Sequence, residues 1–194
     1  FSWYLKKHFG VKKFGVGFFG IFYALSGYMA AYSWNIMWLD CIMLFPLILL
    51  GLEQLVKEKK GTLYCITLGL SILSNYYISI MICIFMVIYV IAQMTLNPPK
   101  SFGEFMGTGL RFAFYSLLAG GLAAVVLLPE IYALQVTASG DFDFPKTFSS
   151  YFSIFDMIAR HIGNVGTEIG LDHWPNIYCG VAVLMFFLLY LGSR

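Results

Sequence analysis

The stretch SGYMAAYSWNIMWLDCIMLFPLILLGLEQLVKEKK, Ser26 to Lys60, decides the fold. One apolar segment ends at Tyr32, and a short polar-aromatic knot follows from Ser33 to Asp40. A second apolar segment runs to about Val56, where Lys57, Lys59 and Lys60 close it. About 20 apolar residues cross a bilayer core, so the pattern reads as two membrane helices joined by a tight turn, the second with a basic inner end. Ser33 or Asn35 is placed to cap that second helix. Pro46 falls mid-span, where membrane helices tolerate it if neighbours satisfy the freed backbone. Glu53 and Glu58 lie beside the lysines and read as their solvated partners. Asp40 is different: it is a carboxylate at the mouth of a span, close to Trp34 and Trp38. An acid at such a place is costly, which makes Asp40 the leading candidate for a functional residue, with a solvated cap as the alternative reading.

The whole chain has the same character. It has 194 residues, of which 60% are hydrophobic and 11% charged, and its mean hydropathy is +0.79. A soluble domain carries about 25% charged residues, so the chain reads as an all-α, polytopic transmembrane bundle. A net charge of +2 says nothing about nucleic acid, and no nucleic-acid partner is expected of a membrane bundle. Cys41, Cys65, Cys83 and Cys179 lie in or beside apolar segments with no CxxC pair, so they read as packing residues rather than disulfides or zinc ligands. His161 and His173 are twelve apart in one loop, where a metal pair is the minor alternative, and no metal site is assigned. No P-loop, GxSxG or HExxH motif occurs. The letters of GxGxxG occur at Gly15, Gly17 and Gly20, but inside a span rather than after a strand, which removes their meaning.

Six spans are expected, at about 14–32, 37–56, 62–75, 77–96, 111–134 and 175–191. Residues 1–13 interleave Lys6, Lys7, Lys12 and Lys13 with aromatics, as a juxtamembrane segment does. Ser26-Gly27 is a point where the first span kinks or packs closely. The run from Thr62 to Leu96 is too long for one span, and the polar break Ser74-Asn75-Tyr76-Tyr77 splits it. Asn97-Pro98-Pro99-Lys100 is a turn, Gly103 to Gly109 an expected surface segment, and Gly120-Gly121 an expected close-packing point. Residues 135–174 form one long loop, in which Ser153 to Ile162 predicts a short interfacial helix with Ile154, Phe155, Ile158 and Ile162 on one face.

With residues 1–13 in the cytoplasm, ten of the twelve Lys and Arg fall inside and only Lys146 and Arg160 outside. That satisfies the positive-inside rule. It places Asp40, Asn75, Glu130 and the long loop together on the extracytoplasmic face of a plasma membrane. A carboxylate there suits three uses: a divalent cation holding a lipid phosphate, a general base for an acceptor hydroxyl, or hydrogen bonds to a sugar or cationic ligand. Trp34 and Trp38 are four apart and share a face if the helix includes both; their alternative role is interfacial anchoring. Asn35, Asn75, Tyr76, Tyr77 and Glu130 complete the candidate lining, with an aromatic belt and a headgroup-layer carboxylate as the alternative readings.

The same stretch, Asn35-Ile36-Met37-Trp38-Leu39-Asp40 above all, resembles the YfhO family of bacterial membrane proteins. LYCITLGLSILSNYYISIMICIFMVIY, LPEIYAL and WPNIYCGVAVL extend the resemblance from about Gly20 to the end. Members of that family are much longer, so the chain is expected to be a piece of a larger protein and inactive alone. The family is similar to GT-C glycosyltransferases, which take a sugar from a polyprenyl-phosphate donor at the outer membrane face. The resemblance implies transfer to an envelope polymer of the lipoteichoic-acid type. It makes Asp40 a supporting acid, or a group that orients metal or phosphate. The main catalytic acid would then lie upstream of Phe1. A transporter or flippase and a non-catalytic assembly protein are the alternatives.

Overall fold

A computed structural model describes residues 1–10, 14–137, 153–162, 166 and 176–193. Among these residues there are helices and no strand, as the composition requires. The helices are α1 (Ser2–Phe9), α2 (Gly15–Ala24), α3 (Gly27–Ala31), α4 (Ile36–Glu58), α5 (Thr62–Ser74), α6 (Tyr76–Leu96), α7 (Phe102–Leu122), α8 (Ala124–Gln135), α9 (Ile154–Ala159) and α10 (Val181–Gly192). By length and composition α4 and α6 can each cross a membrane, and the bent pair α7–α8 can if taken as one span. The 13 residues of α5 rise about 20 Å at 1.5 Å per residue, short of a ~30 Å hydrocarbon core.

The chain forms two compact units. The larger comprises Trp3–Gly10 and Met37–Phe142, the smaller Phe1–Ser2, Val11–Ile36 and Asp143–Arg194. In the larger unit, Ile48, Leu52 and Leu55 of α4 recur at helical spacing, as do Tyr64, Leu68 and Ile72 of α5 and Ile82, Met86 and Val90 of α6. These stripes face one another in a single core. In lipid, Leu gains little by exchanging acyl chains for another Leu, so close approach and hydrogen bonds select which helices pair. Gly51 provides the close approach. A Cβ there would stand 2.6 Å from the Tyr64 Cα, so the backbones of α4 and α5 touch only because position 51 is glycine. On the other face of α5, the Tyr64 hydroxyl bonds the Ser116 hydroxyl of α7 at 2.9 Å.

The break expected at 74–77 is present. Asn75 is extended (φ −160°, ψ 112°), ends α5 and starts α6, and its Oδ1 accepts from the Ile78 N–H at 2.9 Å. Pro46 lies inside α4, which continues as one helix.

Three expectations are corrected. The segment 103–109 is no separate surface piece but the first turns of α7. Ser101 Oγ accepts from the Glu104 N–H at 3.2 Å, and Glu104 accepts from the Lys100 N–H at 2.8 Å. A Ser-x-x-Glu start signal, present in the sequence itself, thus begins the helix earlier than its apolar run does. The helix expected at 111–134 is two helices, with a 79° bend at their junction. A methyl group added at Gly120 or Gly121 would meet nothing within 4 Å, so this pair is not a packing point.

In the smaller unit, the first apolar segment breaks at Ser26 (φ −65°, ψ 155°) into α2 and α3. The Gly27 N–H donates to the Tyr178 carbonyl, and a Cβ on Gly27 would meet Tyr178 at 3.2 Å. Kinking and close packing thus occur at the same dipeptide. Phe1 stacks on Tyr23 at 4.5 Å, and Phe19 meets Phe186 of α10 at 6.1 Å. Within the expected 153–162 helix, α9 covers Ile154–Ala159 behind a Ser153/Asp156 capping box. Two hydrogen bonds from Ser153 hold the Asp156 carboxyl below the usual aspartate range. Ile154, Phe155, Ile158 and Ile162 are all exposed, as a membrane-surface face would be.

Candidate functional site

The first turns of α4 carry Trp38 and Asp40, and they lie against the α5–α6 break. Trp38 and Tyr77 rings are 6.5 Å apart and tilted by 32°. Tyr76 and Glu130 of α8 are electrostatic neighbours. The structure thus gathers Trp38, Asn75, Tyr76, Tyr77 and Glu130 at the end of the larger unit that carries Asp40. Asp40 itself is half-buried, and among the described residues its carboxylate has no hydrogen bond or ion pair. Asn35 and Trp34 fall in the smaller unit. Trp34 lies before the first residue of α4, so it does not share a helical face with Trp38. Ser33 donates to the Ala30 carbonyl at 3.3 Å, back toward α3, which leaves Asn35 at the position just ahead of α4.

Beneath Asp40 lies a polar seam that spacing did not reveal. The Cys41 thiol is fully buried and points at the Ser71 carbonyl at 3.4 Å and the Ser79 hydroxyl at 3.8 Å. Ser71 and Ser79 hydroxyls bond one another at 2.8 Å. Small hydroxyl residues inside apolar helices act as interhelical links, and that was the signal available in the sequence. Cys41 is a packing residue, as expected, and it also fixes the turn that carries Asp40.

A second polar centre sits at the opposite end of α4, and it corrects the reading of Glu53. This carboxylate is only 3% exposed. Its Oε1 accepts from the Tyr4 hydroxyl at 3.0 Å and the Tyr89 hydroxyl at 2.8 Å, and meets His8 Nδ1 at 2.7 Å. Lys57 reaches Oε2 at 3.5 Å. A buried carboxylate needs such partners to offset its desolvation. Burial, reinforced by Tyr89, pushes the Tyr4 hydroxyl far above the ordinary tyrosine range, so it stays a neutral donor. The centre ties α1 to α4 and α6. Glu58 does behave as expected, exposed and paired with Lys60 at 3.1 Å.

Among the described residues no three His, Cys, Asp or Glu side chains converge as a protein-built metal site would need.

The sequence pattern described as "Bacterial membrane protein YfhO" matches residues 1–194. The chain belongs to the YfhO family of bacterial membrane proteins. A protein named "Uncharacterized protein YfhO" in Bacillus subtilis (strain 168) is 23% identical over 133 residues, 66% of this chain. The chain spans 15% of the length of that YfhO relative. No solved structure is significantly similar. YfhO membership and the apolar helices make this a bacterial membrane protein in contact with the lipid bilayer.

Proposed function

We propose that this YfhO-family segment forms part of a GT-C-like glycosyltransferase in the plasma membrane. In this reading six spans hold the N-terminus in the cytoplasm, and the enzyme moves a sugar from a polyprenyl-phosphate donor to an envelope polymer. The observation that carries the reading is the half-buried Asp40 carboxylate, set on a braced helix start beside the Trp38–Tyr77 ring pair. Aromatic faces suit the apolar face of a sugar ring, and a carboxylate whose lone pairs no protein donor occupies suits a hydroxyl donor. During transfer an acceptor oxygen bonds the anomeric carbon, the bond to phosphate breaks, and the acceptor proton leaves to a base. Asp40 orients the acceptor or the donor headgroup, with the main catalytic acid supplied elsewhere in the full-length protein. In that protein, Asp40→Asn is expected to lower sugar transfer at least about tenfold, some 1.4 kcal/mol of barrier, with membrane insertion unchanged. Undiminished transfer by that variant would remove Asp40 from the mechanism.

The breaks at Ser26, Asn75 and Ala123 favour a second reading. Interrupted membrane helices build the binding sites of many transporters. A transporter or flippase would move the lipid-linked sugar with no consumption of donor. Donor turnover in detergent, where there is no second compartment, separates the two.

A further inference from the structure

At the Glu53 end of α4 the larger unit assembles a basic surface from two segments far apart in the chain. Tyr4 and His8, one helical turn apart, both reach the Glu53 carboxylate and pin α1 there. Trp3, Lys6 and Lys7 then share another side of α1, at i, i+3 and i+4 spacing, and all three are exposed. Lys57 reaches the same carboxylate from the last turn of α4 at 3.5 Å, and Lys59 and Lys60 follow in the α4–α5 turn. The 23 residues of α4 rise about 35 Å at 1.5 Å per residue. That carries this turn past a ~30 Å hydrocarbon core to headgroup level.

Glu53 holds Lys57, and Glu58 holds Lys60 at 3.1 Å. Lys6, Lys7 and Lys59 are exposed and pair with no carboxylate among the described residues. Lys59 adds a second observation. Its φ is +61°, and among the described residues it alone has a positive φ without being glycine. Just past a helix end this left-handed position ordinarily falls to glycine or asparagine, because a longer side chain crowds its own carbonyl. Lysine is the costlier choice for the turn, and such an outlier is grounds for a functional hypothesis.

We infer that α1 and the α4–α5 turn form a binding surface for anionic phospholipid headgroups of the surrounding bilayer. Lys6, Lys7 and Lys59 are its charged contacts and Trp3 its interfacial anchor. Ammonium groups at headgroup depth attract anionic lipid by about fivefold in affinity for each lysine. A zwitterionic headgroup has no net charge to attract, so charge selects the lipid class. The lysine stems lie along apolar surface while their ends reach the phosphates. An indole sits at the same depth, with its ring toward the acyl chains and its N–H toward water. The surface lies at the opposite end of α4 from Asp40, and the inference stands apart from the transferase reading.

The test uses purified full-length protein in neutral detergent and three probes: dioctanoyl phosphatidylglycerol, dioctanoyl phosphatidylcholine and glycerol phosphate. Binding is read from the concentration dependence of the thermal unfolding midpoint. The anionic lipid is expected to bind at least about tenfold more tightly than the zwitterionic one, and to weaken as salt is added. The triple variant Lys6→Gln, Lys7→Gln, Lys59→Gln is expected to lose at least about tenfold in affinity for the anionic lipid. Lys59→Gly keeps the test valid if the triple variant does not fold. It is expected to raise the lipid-free midpoint, because glycine relieves the left-handed turn, and to weaken the anionic lipid about fivefold. Lys60→Gln removes an ammonium that Glu58 already holds, and is expected to change the affinity less than about twofold. Equal affinity for the two lipids overturns the inference, as does undiminished affinity in both the triple variant and Lys59→Gly. A loss in Lys60→Gln as large as in Lys59→Gly makes the effect one of diffuse charge and overturns it too. Stabilisation by glycerol phosphate equal to that by the anionic lipid makes the surface a free-anion site and defeats the lipid assignment.

Discussion

Two carboxylates at opposite ends of α4 show how one residue type takes different roles. Asp40 has no protein partner among the described residues, whereas Glu53 has three on one oxygen and Lys57 on the other. The proposed function gives Asp40 a role outside the fold, whereas the saturated Glu53 holds the fold together. Substitution of Glu53 should therefore be felt in stability. Glu53→Ala removes the acceptor that the Tyr4 and Tyr89 hydroxyls share, and a loss of about 2–4 kcal/mol is expected. Glu53→Gln keeps a carbonyl acceptor in place and should cost about half as much. Urea or SDS unfolding of the full-length protein measures both. Equal stability of Glu53→Ala and wild type would show that α1 does not depend on this centre.

At the scale of elements, glycines divide into those that permit an interface and those that do not. Gly51 lies where the Tyr64 backbone passes, and Gly120 faces open space. Gly51→Ala is expected to destabilise by about 1–3 kcal/mol because two backbones must separate. Gly120→Ala, inside α7, is expected to be neutral or to stabilise by up to about 1 kcal/mol, the helix-propensity difference. The same unfolding assay reads the pair, and the reverse order would refute the α4–α5 contact. Element boundaries were legible where side chains close a helix end. Asn75 ends α5 and starts α6 where the polar break was expected. The Ser101–Glu104 start of α7 was equally present in the sequence, but the glycines at 103, 107 and 109 concealed it. The bend between α7 and α8 had no such signal, since Leu122, Ala123 and Ala124 are ordinary helix residues.

For the whole molecule, the distribution of Lys and Arg predicts a cytoplasmic N-terminus. A cysteine placed at Lys100 in a cysteine-free background is expected to react with a membrane-impermeant maleimide only after cells are opened. One placed at Tyr77, which is 51% exposed, should react in intact cells. The opposite pattern would invert the proposed topology and move Asp40 to the cytoplasmic side.

The sequence by itself determined the class of the protein, the apolar helices, the α5–α6 break and the candidate status of Asp40. Each of these follows from local quantities: apolar length, polar interruptions, and the cost of a charge in lipid. Tertiary structure alone decided which polar residues are saturated. Tyr4, His8, Glu53 and Tyr89 come from three helices far apart in the chain, and their meeting has no local signature. The same holds for Cys41 with Ser71 and Ser79, and for Arg160 with Asn176. Hydrogen-bond satisfaction belongs to pairs of distant groups, so a linear reading finds the groups and only the packed helices show which ones they meet.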